Sequence, residues 1–422
     1  MIRSSKHTTG FANSNKQISL SLFIQEYQRI AQIYIDYIWL SPISYTIKDK
    51  TFVLDIQHDL LDCPIFLDYN LISFQTSLSA RALSSCITQV CSLIRGALDY
   101  RKRMLWLKSR LVSENQDTIW VDTKLSIPLT KPILKNFKPE LSSKCFDIES
   151  NKTSFDCFVR LKSLGSFEQI KIPIKHTKVS NKWKSKGKML GSILVSNENI
   201  YLRFDIDKPE KKIKGVILGA DPGVKTALTL SNGLTTIKDK DGHDLYSIQQ
   251  KLSRRKKGSK GFKKAQDHRL NYINWSLNQL DFSNTKQLNL ESNNLFKGAK
   301  HSRLTSHYTH SLIQGKVERL AEEEGFFLQL NNSTYRSQRC FECGLVCKSN
   351  RKGKEFCCKG CGVCLDADLN AAKNNEAELY KLPNDLRYLK LNIQGFYWNE
   401  EGIFDLDNQE LRVPDAKKSY EH

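Results

Sequence analysis

No stretch of this sequence approaches the roughly 20 consecutive apolar residues of a bilayer-spanning helix, which excludes a membrane helix of that kind. A secretory apolar core is missing as well. The opening MIRSSKHTTGFANSNKQ is basic and Ser/Thr-rich, with no acid before Glu26. That composition has a faint likeness to an organelle transit peptide, and an edge strand plus a loop is the preferred reading. No internal repeat is evident. Acidic residues are in short supply: 45 Asp and Glu face 65 Lys and Arg, a net charge of +20. An excess of this size points to a polyanionic partner, above all nucleic acid, and not to a membrane. The 422 residues admit two or three domains at roughly 150 residues each. Apolar content of 40% and charged content of 26% are those of an ordinary globular protein.

Apolar residues Leu20, Phe23, Ile24, Tyr27, Ile30, Tyr34, Ile35 and Ile38 recur at helical spacing. Leu83, Ile87, Val90, Cys91, Ile94 and Leu98 do the same and lead into the basic RKRMLWLKSR. Residues 18–114 therefore read as a helical unit. From 115 to 212 the pattern alternates in FDCFVRLKSL, QIKIPIKHT, GSILVS and NIYLRFDID, the period of half-buried strands in a small barrel or curved sheet. KVSNKWKSKGKM between them reads as a cationic surface loop around Trp183. GVILGADP is a buried strand ending on Asp221, and TALTLSNG and LTTIKDKDG read as two more strands. A basic helical segment, a strand ending on Glu291, a helix marked by Leu304, Tyr308, Leu312, Ile313, Val317 and Leu320, and the strand FFLQLNN follow. A final helix begins in DADLNAAKNNEAELYKL. This α/β order is that of RNase H-like nucleases. Beyond Leu382 the acidic and aromatic tail, 383–422, reads as a loosely packed appendage.

Seven of the 12 cysteines lie between Cys340 and Cys364. In a reducing compartment a cluster of this kind binds metal more readily than it pairs as disulfides. Cys340-x-x-Cys343 and Cys358-x-x-Cys361 have zinc-ribbon spacing, and four thiolates close a tetrahedral cage with no open place for chemistry. Binding of zinc to such a site contributes on the order of 10 kcal/mol to folding. Cys357 with Cys361, or Cys361 with Cys364, remains an alternative second pair, and Cys347 is spare. Cysteines 63, 86, 91, 145 and 157 read as buried thiols.

Asp221, Glu291 and Asp368 stand at two strand ends and a helix start. Each alone would be a turn residue or a cap, with Asp368 a natural N-cap. In an RNase H-like sheet the first and fourth strand ends lie side by side and the last helix crosses them. Three carboxylates then form an oxygen-rich site for Mg²⁺. Two such ions about 4 Å apart can stabilise the attacking and leaving oxygens of a scissile phosphate.

GADPGVKTALTLSNG, LNLESNN and YRSQRCFECGLVCKSNRKGKEFCCKGCGVCLDADLNAAKN together resemble TnpB, the transposon-associated RNA-guided nuclease, whose relatives are Fanzor and the miniature type V CRISPR effectors. The likeness covers about 215–380, and the amino-terminal segments look most like phage-carried members. It implies a multidomain α/β chain: a RuvC-like, RNase H-like core with an inserted zinc ribbon, preceded by a helical recognition unit and a β-barrel-like wedge. The implied limits are 1–17 for a wedge strand, 18–114 for recognition, 115–212 for the wedge, 213–330 for the first part of the nuclease, 331–365 for the target-nucleic-acid-binding ribbon, 366–382 for the last nuclease helix and 383–422 for the tail. It makes Asp221, Glu291 and Asp368 the RuvC carboxylates holding magnesium. Implied partners are a non-coding guide RNA and double-stranded DNA bearing a short flanking motif, with sequence read by base pairing. Lys251, Arg254, Arg255, Lys256, Lys257, Lys260, Lys263 and Lys264 fit a phosphate track; an exposed charged helix is the plainer reading. The implied setting is the bacterial cytoplasm and nucleoid, from a phage or mobile element, with an organelle not excluded and monomer or homodimer both open. Ser292 stands where the family has a second acid, Asp366 rivals Asp368, and the segment from Lys264 to Glu291 is short. An RNA-guided repressor that binds without cutting, a DNA-joining transposase or its accessory protein, and a plain zinc-ribbon DNA-binding protein are the competing classes.

Overall fold

Helical spacing and strand alternation find their partners in two compact units, Met1–Asp207 and Lys208–His422. The computed structural model describes residues 1–410 except 41, 48–49, 56–59, 62–66, 128, 135–136, 151–153, 168, 293–307, 383–394 and 408. Cys63, Leu304 and much of the tail thus lie outside the described residues. Among those described, no helix is long and apolar enough to cross a membrane.

In the first unit, strand β1 (Ile2–Thr8) precedes helix α1 (Ser14–Leu40). The eight apolar residues that predict α1 are all buried. Short antiparallel strands β2 (Ile43–Ile47), β3 (Lys50–Asp55) and β4 (Leu60–Leu61) follow, inside a stretch that reads as helical. Helix α2 (Ala80–Ser113) opens at Ser79, whose hydroxyl accepts the Ala82 amide at 3.2 Å, and α3 (Ile119–Leu125) is brief. Then come β5 (Glu140–Ser142), β6 (Phe146–Ser150), β7 (Cys157–Leu161), β8 (Ile170–Ile174), helix α4 (Lys178–Lys186), β9 (Gly187–Val195) and β10 (Asn199–Ile206). They form one sheet in the order β1-β10-β9-β5 and another in the order β6-β7-β8. Helices α1, α2 and α4 and both sheets share one hydrophobic core, which includes the thiols of Cys86, Cys91, Cys145 and Cys157.

Helix α4 corrects the loop expected at KVSNKWKSKGKM. Thr177 and Ser180 exchange capping hydrogen bonds: the Ser180 amide donates to Thr177 Oγ1 at 3.1 Å and the Thr177 amide to Ser180 Oγ at 2.8 Å. Trp183 is buried beneath, while Lys178, Lys182, Lys184 and Lys186 face solvent.

The second unit is built on β11 (Val216–Asp221), β12 (Thr229–Leu230), β13 (Thr285–Glu291) and β14 (Phe327–Asn331), in the order β12-β11-β13-β14. β11, β13 and β14 run parallel, and β12 is antiparallel to β11. Helices α5 (Leu245–Ser253) and α6 (Lys260–Leu277) connect β12 to β13, and α7 (Tyr308–Glu324) leads to β14. The two strands expected after β11 shrink to Thr229–Leu230 and a single bridge from Thr229 to Thr235. The Thr236 hydroxyl accepts the Ala227 amide at 2.9 Å, so a side chain replaces the next rung of the ladder.

Beyond β14 lie the small strands β15 (Leu345–Val346), β16 (Arg351–Lys352), β17 (Glu355–Cys357) and β18 (Cys364–Asp366), then helix α8 (Ala367–Glu376) and a hairpin of β19 (Phe396–Trp398) and β20 (Ile403–Phe404). The described part of the tail is not a loose appendage. β19 pairs with β15, and Phe396, Trp398 and Ile403 pack on Val346 and Leu382 in a core of their own.

Helix α8 lies directly on β11 because Gly219 has no side chain. A Cβ there would stand 1.9 Å from the Ala372 carbonyl oxygen and 2.3 Å from the Glu376 amide nitrogen, both backbone atoms of α8. Gly219→Ala is therefore expected to cost at least about 3 kcal/mol, because two backbones must part. Denaturant unfolding of the second unit measures it; an unchanged midpoint would show that α8 slides freely over the strand.

Candidate active site and thiolate cage

β11 ends on Asp221 and β13 on Glu291. Their parallel register pairs Ala220 with Leu290 and sets the two acids side by side. Helix α8 crosses β11 and adds Asp368. The three carboxylates line one cleft of about 400 Å³, together with Lys225, His310, Arg351 and Lys354. Asp221 is 9% and Asp368 5% exposed. The N-cap of α8 is Asp366, not Asp368: Asp366 Oδ1 accepts the amides of Asp368 at 2.9 Å and Leu369 at 3.1 Å. Asp366 is exposed and serves the helix, which leaves Asp368 turned into the cleft.

Two cations enter the cleft from the β16–β17 hairpin. The Lys354 ammonium bonds Asp368 Oδ2, and Arg351 Nη2 lies 3.4 Å from Asp368 Oδ1. Sequence reasoning missed both; the basic run Arg351–Lys354 between the cysteine pairs was the available signal. Burial drives the Asp221 carboxyl well above the usual range, the charges of Glu291 and Asp368 push the same way, and Arg351 and Lys354 oppose them. Burial likewise lifts Glu291 to about 7, against Arg336, Arg351 and a hydrogen bond with Ser333. A bound divalent cation reverses this repulsion, so the donor set fits a hard metal ion.

The raised pKa carries a sign. Folded Glu291 holds a proton that the unfolded chain has released, between the ordinary glutamate value of 4.5 and about 7. Its contribution to stability is full below that window and is lost as pH rises through it. In magnesium-free buffer the second unit is expected to lose stability across this interval. Glu291→Gln should reduce the slope and stabilise the protein at pH 8, with Asp221, raised by the same burial, keeping the remaining pH dependence. Thermal melts across pH check this; an identical slope in the variant would assign the titration to another group.

Three buried asparagines hold α8 in place. Asn375 Nδ2 donates to the Ala220 carbonyl at 3.0 Å, tying the helix to β11. Asn374 Nδ2 donates to the Arg339 carbonyl at 2.7 Å, and Arg339 Nη1 returns a bond to Asn374 Oδ1 at 2.5 Å. Asn370 Nδ2 reaches the same carbonyl at 2.8 Å, while its oxygen accepts the Phe341 amide at 3.1 Å. The chain entering the cysteine cluster is thereby fixed to the helix that carries Asp368.

The sulfurs of Cys340, Cys343, Cys358 and Cys361 lie within 4.8 Å of one another. Cys340 to Cys361 is 3.6 Å and Cys343 to Cys358 is 3.5 Å. Four sulfurs about 2.3 Å from one tetrahedral ion would be about 3.8 Å apart, so the set fits zinc with a slight expansion. The two loops are alike: the Gly344 amide donates to the Cys340 carbonyl at 3.0 Å and the Gly362 amide to the Cys358 carbonyl at 3.1 Å. Both glycines have positive φ, +80° and +78°, as a turn this tight requires. Cys357 and Cys364, weighed as alternative ligands, instead form a disulfide across the β17–β18 pairing, with Cα atoms 4.2 Å apart. Thus engaged, they are not ligands, and the alternative second pairs fall away. Cys347 points elsewhere, to Ser349 Oγ at 3.0 Å.

Lys251, Arg254, Arg255, Lys256, Lys257, Lys260, Lys263 and Lys264 are all exposed along the α5–α6 hairpin. Lys251, Arg254 and Arg255 border a shallow depression with Ser247 and Gln250.

A largely parallel sheet with acids at its strand ends, coupled by a helix to a four-thiolate ribbon, defines a class of multidomain α/β architecture with an inserted cysteine-rich module. Residues 310–375 match the family described as Cas12f1-like, TNB domain, a wider span than the 331–365 expected for the ribbon. This segment is similar to a Cas12f1-like TNB domain, and the likeness to TnpB-like miniature type V effectors drawn from the motifs holds. The CRISPR-associated endodeoxyribonuclease Cas12f1 of Sulfoacidibacillus thermotolerans is 40% identical over 74 residues, 17% of this chain and 18% of that protein. The match thus spans less than a fifth of the curated relative. Among solved structures, a Cas12f1–sgRNA–target DNA complex is similar at a TM-score of 0.46 and 16% identity, over 86% of this chain and 82% of that one. A CRISPR-Cas12f ternary complex is similar at 0.31 and 17% identity, over 87% and 82%.

Proposed function

We propose that this protein is an RNA-guided DNA endonuclease that hydrolyses phosphodiester bonds of a target DNA at Asp221, Glu291 and Asp368. The observation that carries the reading is the meeting of these three carboxylates in one cleft, on elements bonded to a Cas12f1-like TNB domain. Asp221, Glu291 and Asp368 would hold magnesium, which would supply an activated water and charge stabilisation at the scissile phosphate. Asp221 and Glu291 give the site its rigid floor, since both end parallel strands. Asp368 is carried by the first turn of α8. Arg351 offers a planar fork suited to a phosphate once it leaves Asp368. The cage holds zinc and is structural. The exposed cations of α5 and α6 follow a phosphate backbone, an interaction that weakens steeply with salt.

Partners in this proposal are a non-coding guide RNA and double-stranded DNA with a short flanking motif. One relative supports it by its name, an endodeoxyribonuclease. The finer partition into helical recognition, barrel-like wedge, RuvC-like core, ribbon and tail belongs to the same proposal, as does a phage or mobile-element origin in a bacterial cytoplasm. A second reading, guided binding without cutting, is favoured by the ion pairs of Lys354 and Arg351 on Asp368 and by Ser292 in place of a second acid.

The test is to purify the protein with its copurifying RNA, sequence that RNA, and offer a matched DNA with magnesium. Cutting is expected. A matched target that is bound and never cut leaves the binder; absence of any discrete RNA removes the guided mechanism.

A further inference from the structure

A second cluster of metal-ligating side chains stands apart from the acid cleft and the thiolate cage. Asp239 and His243 belong to the loop between β12 and α5, and His268 lies in the middle of α6. The loop is tightly closed. The Asp239 amide donates to the His243 carbonyl at 2.9 Å, the Gly242 amide to the Asp239 carbonyl at 3.0 Å, and Gly242 has a φ of +79°. Asp239 Oδ1 accepts the amides of Asp241 at 3.0 Å and His243 at 2.8 Å, which fixes the carboxylate plane. Its oxygens then face two imidazoles. His243 Nδ1 is 3.4 Å from Oδ1, and His268 Nε2 is 3.5 Å from Oδ2. The two rings stand edge to face, 5.1 Å between centroids. One potential ligand atom from each of the three residues lies within 4.8 Å of the others.

We propose that Asp239, His243 and His268 form a second, thiolate-free site for a divalent transition-metal ion. Three observations favour an ion over a simple ion pair. First, each imidazole faces a different oxygen of Asp239, at 3.4 and 3.5 Å, too long for good hydrogen bonds. One ligand atom from each residue lies within 4.8 Å of the others, within a small side-chain adjustment of the roughly 3.4 Å spacing of ligands about 2.1 Å from one tetrahedral ion. Second, His243 Nδ1 is buried and makes no hydrogen bond among the described residues, although Asp239 Oδ1 stands 3.4 Å from it. Third, two imidazoles and one carboxylate suit zinc, iron, cobalt or nickel, and they discriminate against magnesium and calcium, which take all-oxygen sets. The His243 and His268 side chains remain 38% and 30% exposed, so the fourth position opens to solvent. An ion here would pin the 239–243 loop to the middle of α6. It would brace the base of the same hairpin whose other end carries the exposed cations.

The experiment counts metal on the full chain. Protein is equilibrated with zinc in excess magnesium, which occupies the acid cleft, and freed of loosely held ion. Metal per chain is then compared among the parent, His268→Gln and His243→Asn. The parent is expected to hold one zinc more than either variant, and all three should keep the zinc of the cysteine cage, which certifies their folding. Equal counts overturn the proposal. A cobalt titration of the parent in the same excess magnesium, which keeps cobalt out of the acid cleft, needs no variant. The first equivalent should bring intense thiolate charge-transfer bands, and the second only weak ligand-field bands without them. Saturation after the thiolate equivalent overturns the site just as directly.

Discussion

Replacing Asp221 by alanine is expected to lower cleavage of a matched target by on the order of a thousandfold or more, because metal-assisted charge stabilisation is worth several kcal/mol and each 1.36 kcal/mol is about tenfold in rate. Guided binding should survive, since Asp221 is buried at the floor of the cleft and offers nothing to a nucleic-acid backbone. Stability supplies the internal control. Asp221 is repelled by Glu291 and Asp368 and desolvated by burial, so removing it relieves the ion-free protein. The variant should therefore melt no lower than the parent in magnesium-free buffer. Single-turnover cleavage, target binding and a melt on the same preparation decide the matter. Full cutting by Asp221→Ala would move the chemistry away from this cleft.

Cys343→Ser should have the largest effect on folding. Structural zinc in ribbons of this kind contributes on the order of 10 kcal/mol, and one missing thiolate forfeits a large share of it. The Cys340 and Cys343 thiols, raised by burial, gain from a cation that the variant cannot hold. Loss of one zinc per chain and early proteolysis between Cys340 and Glu376 are the expected readouts. The first unit, Met1–Asp207, should keep its own transition. Cys347→Ser is the matched control: its sulfur faces Ser349 and lies outside the cage. Undiminished zinc in Cys343→Ser would strike this cysteine from the ligand set.

What could be read from the residues was whatever repeats at a fixed interval. Helices α1 and α2 announce themselves because each buries one stripe at three-and-four spacing. Strands β7, β8 and β10 show alternation, and β11 ends on its acid as expected. The cysteine pairs are legible because a metal imposes the same short loop twice. Other features have no interval to betray them. Helix α4 hides in a lysine-rich stretch, since only Thr177, Ser180 and Trp183 speak for it. β12 was overestimated because a threonine hydroxyl bonds like a strand without extending one. Arg351 and Lys354 reach Asp368 from 17 and 14 residues away through a hairpin, a distance that no local pattern encodes. The Cys357–Cys364 pairing depends on strand register, which spacing alone leaves open.

The asparagine ladder of α8 bears on modularity. A ribbon held by its zinc alone could be exchanged for a foreign one as a cassette, with the scissors left untouched. Here Asn370 and Asn374 read the backbone of Arg339 and Phe341, so the ribbon's entry segment and the helix bearing Asp368 are cut to fit each other. A chimera joined between the cage and α8 would therefore separate two halves of one lock. The natural seams lie before Arg336 and after Glu376, and a transplanted ribbon must bring its own asparagines with it.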